Sequence, residues 1–112
     1  MIKLQILKTL NLRKALNSPN PPIFARVQEK MIDQHCASCH SGADARGMQL
    51  NEYDFANNEA RVLKKEKALD ILSRIKGDGE LSQMPPDGFN TEAERKEIIE
   101  LYMQWLKSKN IQ

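Results

Sequence analysis

Apolar residues in this chain fall into separate clusters, each with its own period. In residues 1–16, Ile2, Ile6 and Leu10 share one helical face and Leu12 and Leu16 another. The run Ile2-Lys3-Leu4-Gln5-Ile6 also alternates as a strand would, so the period there is ambiguous. Asn17-Ser18-Pro19-Asn20-Pro21-Pro22 breaks any regular element and reads as a linker. The first clear helix follows, with Asn20 as its cap and prolines in its first turn, where a missing N–H costs little. Phe24, Val27 and Met31 lie on one face of it, flanked by Ile23 and Ile32, and this stripe should face a core. The helix delivers the chain into Cys36.

Residues 41–58 show no period, and Ser41-Gly42 and Arg46-Gly47 are loop signals. Asn58 reads as the cap of a short helix through Arg61, Val62 and Leu63. Ala68, Leu72 and Ile75, joined by Leu69 and Ile71, predict a longer helix, stopped by Gly77 acting as a terminating glycine. Gln83-Met84-Pro85-Pro86-Asp87-Gly88 must be an extended loop, because its prolines exclude helix. Thr91-Glu92-Ala93-Glu94 is a capping box. The last helix runs from there to about Lys107, with a stripe of Ile98, Leu101, Tyr102, Trp105 and Leu106. The elements predict an all-α chain.

Charge divides the chain unevenly. No acidic residue precedes Glu29, whereas Lys3, Lys8, Arg13, Lys14 and Arg26 do; from Glu29 onward acids outnumber Lys and Arg. Residues 1–20 thus form a basic amphipathic arm and linker ahead of a mildly acidic domain, residues 21–112. The apolar content of the arm suits ordering by contact, with its own body, a second copy or the subunit of a larger complex. The exposed-looking trio Lys64, Lys65 and Lys67 reads as a solvated helix face or a docking patch. At 112 residues, with a net charge of +2, nothing global points to nucleic acid, and no stretch approaches the length of a membrane-spanning helix.

The chemistry gathers at Cys36-Ala37-Ser38-Cys39-His40, a C-x-x-C-H run, which reads as a c-type haem attachment site. Two thiols on a tight turn can each form a thioether to one haem vinyl group, and the adjacent His40 can place a nitrogen on the iron. A thioredoxin-like dithiol would sit in a βαβ pattern, which is not seen. A structural zinc site needs four ligands able to surround the ion, and His35, Cys36, Cys39 and His40 crowd six consecutive positions. His35 lies on the same segment as His40 and cannot reach the opposite side of the ring. Among the methionines, Met31 and Met103 lie within helices and Met1 is terminal. Met84, in a proline-stiffened loop, is the expected distal ligand, with Met48 the lesser candidate. Met48, Leu50, Tyr53 and Phe55 are placed to lay apolar groups on a haem face, with Tyr53 able to reach a propionate; ordinary core filling is the alternative.

These residues, with the amphipathic helices at each end, resemble a small class I cytochrome c over about residues 22–108. The similarity is to bacterial monohaem domains carrying Gly-x-x-Leu after the motif, here Gly47-Met48-Gln49-Leu50, and Met-Pro-Pro later, here Met84-Pro85-Pro86. The resemblance implies first and last helices crossing beside one covalently bound haem c, with Phe24, Val27 or Ile32 meeting Tyr102, Trp105 or Leu106. It implies Cys36, Cys39, His40, Met84 and Pro85 at the haem, redox proteins as partners, and electron transfer rather than catalysis. The rival from the enzyme class is a sensor or peroxidase-like domain with a labile sixth ligand. One departure stands out: no proline occurs between His40 and Pro85, so a carbonyl of the Gly42–Leu50 loop should orient His40 instead. Haem attachment of this kind belongs outside the cytoplasm, so a periplasmic or otherwise extracytoplasmic location is expected. Residues 1–16 make a poor signal, because Lys3, Gln5, Lys8 and Asn11 interrupt it; the expectation is a removed signal or a chain cut from a longer one.

Overall fold

The computed structural model of the chain describes residues 2–37, 49–77, 79, 83–85 and 88–111, with the backbone alone for residues 2–5. Every regular element among the described residues is helical. The elements fall in two compact units, Met1–Arg61 and Val62–Gln112.

The first unit opens with α1, Ile2–Leu16. The helix wins over the strand-like alternation because a strand needs a partner for its backbone groups and a helix supplies its own. Leu, Lys, Arg, Ala and Gln also favour it. Arg13 and Lys14 in its last turn suit the negative end of the helix. The Leu12 face turns inward: Leu12 is buried and Leu16 half-buried, while Ile6, Leu7 and Leu10 are exposed. Ser18 closes the end, its Oγ donating to the Ala15 carbonyl at 2.9 Å, and Pro19 follows.

α2 spans Ile23–Val27 and lies against α1. Asn20 is not its cap. Pro22 occupies the capping position with an extended backbone (φ −56°, ψ 137°) and makes no side-chain cap bond. The cause is local: Asn20 and Pro21 each precede a proline, which drives both away from helical geometry. Beyond Val27 the chain does not continue as an α-helix. Gln28–Cys36 winds as a π-helix, called π1 here, before a helical turn at Ala37. Residues five apart then share a face. Gln28 Nε2 donates to Asp33 Oδ1 at 2.7 Å, and Gln34 Nε2 donates to the Glu29 carbonyl at 3.1 Å. Such stretches are rare and recur at functional sites. The expected stripe survives the change of period, since Phe24, Val27, Met31 and Ile32 are all buried.

α3 spans Phe55–Val62. It begins three residues before Asn58, so Asn58 is an interior residue and not the expected cap. The Asp54 carbonyl accepts the Asn58 N–H at 3.0 Å and starts the helix.

The second unit is built on α4, Lys65–Lys76, and α5, Glu92–Ser108, which pack together. Ala68 and Ile75 of α4 are buried, as are Ile98, Tyr102, Trp105 and Leu106 of α5. Tyr102 Oη donates to the Ala68 carbonyl at 2.8 Å, and its ring centroid lies 5.5 Å from that of Trp105. Lys64, Lys65 and Lys67 are exposed. Gly77 terminates α4 as expected, at φ +70°, a left-handed conformation that suits glycine. Thr91 caps α5, its Oγ1 accepting the Glu94 N–H at 3.0 Å. The reciprocal bond is shifted by one residue, with Glu94 Oε1 accepting from the Asn90 N–H at 2.9 Å.

Candidate haem-attachment site

Cys36 is the last residue of π1 and is half-buried, followed by a fully buried Ala37. His35, one position earlier, is half-buried, with its Nε2 enclosed. Cys39 and His40 lie outside the described residues, as do Met48 and most of the loop expected to orient His40. The described chain resumes at Gln49, and Leu50 is buried in the core of the first unit. Tyr53 is half-buried with φ +61°. Its side chain, with Phe55, lines a cavity of about 370 Å³ shared with Lys8, Asn11 and Lys14 of α1.

A buried polar network joins the two ends of the segment that carries the motif. Gln28 and Asn58 are both fully buried. Asn58 Nδ2 donates to Gln28 Oε1 and to the Asn51 carbonyl, each at 2.7 Å. Its Oδ1 accepts from the Asn51 N–H at 3.1 Å and from Arg61 Nη1 at 3.0 Å. All four hydrogen-bonding positions of that amide are therefore used. Gln28 Nε2 reaches the same Asn51 carbonyl at 3.0 Å. Asp33 Oδ1 accepts from the Tyr53 N–H at 2.8 Å, which helps hold Tyr53 in its unusual conformation. Burial raises the Asp33 carboxyl above its ordinary value, against the lowering effect of the Tyr53 N–H and Gln28; Glu52 and Glu29 add to the rise. π1 enters the motif from one side of this network, and Asn51 to Tyr53 leave it on the other.

In the second unit, Met84 and Pro85 are half-buried, while Pro86 lies outside the described residues. The Met84 N–H donates to the Arg74 carbonyl at 3.0 Å. This bond belongs to a complete capping of α4. The Gly77 N–H takes the Ser73 carbonyl at 3.0 Å, and the Arg95 guanidinium takes the Ile75 carbonyl at 3.4 Å and the Lys76 carbonyl. The last four carbonyls of a helix have no partner inside it, and here each has found one outside. The Gly88 N–H closes a turn onto the Pro85 carbonyl at 2.9 Å. The backbone of Met84 is thus fixed to the end of a packed helix.

Among the sequence-predicted site residues, Cys36, Leu50 and Tyr53 belong to the first unit, and Met84 and Pro85 to the second. The supporting residues Gln28, Asp33 and Arg95 escaped the sequence reading, and Asn58 was read there as a helix cap. Gln28 left one trace, a polar residue four positions after Phe24, next to Val27 on the apolar stripe. Arg95 left none, because its partners are carbonyls 19 and 20 residues away. Among the described residues, no group of three or more His, Cys, Asp or Glu side chains could hold a metal ion, and no helix is long and apolar enough to cross a membrane. Comparison with family models, with curated proteins and with solved structures found no match for this chain.

Proposed function

We propose that this chain is a monohaem cytochrome c of class I fold that passes single electrons between redox proteins. It works outside the cytoplasm, alone or as a subunit of a larger respiratory complex. Haem c would be held through Cys36 and Cys39, and His40 and Met84 would bind its iron. The observation that carries the reading is the run Cys36-Ala37-Ser38-Cys39-His40, begun at the end of a helix that leaves Cys36 half-buried. The donor chemistry fits the group: a half-buried thiol suits thioether formation, and imidazole with thioether is a ligand pair of cytochromes c. When bound, the haem iron supplies one-electron chemistry. The chain's part is to present the thiols, to hold the Met84 backbone on the Arg74 carbonyl, and to keep the distal position filled so that substrate finds no open site.

The test has two stages. Protein produced with a haem-attachment system should retain its haem through acid–solvent extraction; release of all the haem would overturn covalent attachment. With attachment established, wild type and Met84→Ala are mixed with carbon monoxide in the reduced state and with cyanide in the oxidised state. Wild type should react slowly and the variant fast. Equally fast reaction of both would make the iron open from the start and turn the reading to a sensor or peroxidase-like domain.

A further inference from the structure

One face of α1 turns away from the core of its unit, with Lys14 at its edge also bordering the cavity beside Tyr53 and Phe55. Leu12 is buried and Lys8 Nζ pairs with Asp54 Oδ2 at 3.3 Å, so one side of the helix is committed to its own unit. On the other side Ile6, Leu7 and Leu10 are 52%, 56% and 53% exposed. Arg13 and Lys14 are exposed as well. At 100° per residue, Ile6, Leu7, Leu10, Arg13 and Lys14 fall within about a third of a turn of one another. Apolar and cationic side chains are therefore interleaved on one face, and no acidic residue occurs before Glu29.

We propose that this face of α1 docks on the surface of an anionic lipid bilayer. Lipid suits the pattern better than a protein groove does. Leu and Ile can enter the acyl boundary while Arg and Lys stems run beside them and lift their charges to the phosphates. A dry protein groove would have to pair each cation. The apolar groove of the second unit, formed by Leu69, Leu72, Ile99 and Met103, is flanked by Lys96 and Lys107 as well as Glu100, which opposes a basic helix from a second copy. A helix of 15 residues is about 22 Å long, too short to span a bilayer and long enough to lie on one. The proposal does not depend on haem.

The test is co-sedimentation of the full matured chain with vesicles of phosphatidylcholine alone or with phosphatidylglycerol added. Binding should need phosphatidylglycerol and weaken with salt. Arg13→Gln with Lys14→Gln should weaken it roughly 30-fold, about fivefold per cation. The triple change Ile6→Ser, Leu7→Ser, Leu10→Ser should abolish it while the unfolding midpoint of the chain stays close to that of the wild type. Failure of the wild type to bind phosphatidylglycerol vesicles would overturn the proposal. So would binding that survives the triple change, or a vesicle-independent dimer, seen by sedimentation velocity, that the triple change dissolves.

Discussion

The two units support the segments around Cys36 and Met84 by different means. On the segments that flank the Cys36 motif lie two fully buried amides, Gln28 and Asn58, bonded to each other and to the backbone of Asn51. Behind Met84 stands the end of α4, whose carbonyls are covered by Gly77, Met84 and Arg95. The first arrangement is buried and side-chain based. The second is part-buried and shared between backbone N–H groups and one guanidinium, beside the contact between α4 and α5. A buried amide is costly to disturb because each lost partner leaves a desolvated group behind, whereas water can more readily replace a partner at a part-buried helix end. The π1 geometry belongs to the first arrangement, since its five-residue spacing places Gln28 against Asp33.

The largest effect should come from the apolar side. Trp105 is completely buried, and Trp105→Ala should destabilise the chain by about 3–5 kcal/mol in denaturant unfolding. A loss below about 1 kcal/mol would show that α5 is not anchored through this ring.

The buried amides come next. Asn58→Leu leaves Gln28 Oε1 and the Asn51 N–H short of partners and should cost about 2–3 kcal/mol. Gln28→Leu should cost a similar amount, and the double variant much less than the sum. Simple additivity would mean that the two amides act independently.

Arg95→Ala should cost less, about 1–2 kcal/mol, because truncating the side chain opens the part-buried end of α4 to water. Its second readout is the Met84 loop: amide exchange at Met84 should quicken, since the carbonyl it bonds belongs to the turn that Arg95 secures. Unchanged exchange would separate the cap from the loop.

The smallest effect concerns Asp33. Its raised value means that the folded state holds the proton more tightly than the unfolded state. Its contribution to stability is therefore fullest below 3.8 and is lost as pH rises through the folded value. Asp33→Asn keeps an acceptor for the Tyr53 N–H and removes the charge. Relative to wild type, the variant should gain stability as pH rises through that window. Parallel unfolding midpoints across the pH series would count against a buried carboxylate.

Much of this molecule was legible in short stretches of sequence. The Gly77 stop, the Thr91 cap and the buried stripes of α2 with π1 and of α5 depend on neighbours within one or two turns, and local physics decides them. The C-x-x-C-H run is equally local as a pattern, five consecutive residues of which Cys36 and Ala37 lie among the described ones. Elsewhere the local signal misled. Asn20 resembled a cap, but the two prolines after it impose extended geometry. Asn58 resembled a cap, but α3 begins before it and its amide serves the interior.

Tertiary structure alone decided the rest. Residues 1–16 offered two apolar faces, and packing within the first unit turned Leu12 inward and left Ile6, Leu7 and Leu10 outside. The passage from α2 to π1 follows from bonds between residues five apart and from Asn51, 23 residues beyond Gln28. Arg95 found its partners at the end of another helix. Such pairings have no short-range pattern, because a hydrogen bond between distant residues is specified by where the folded backbone brings its two ends and not by the composition around either one.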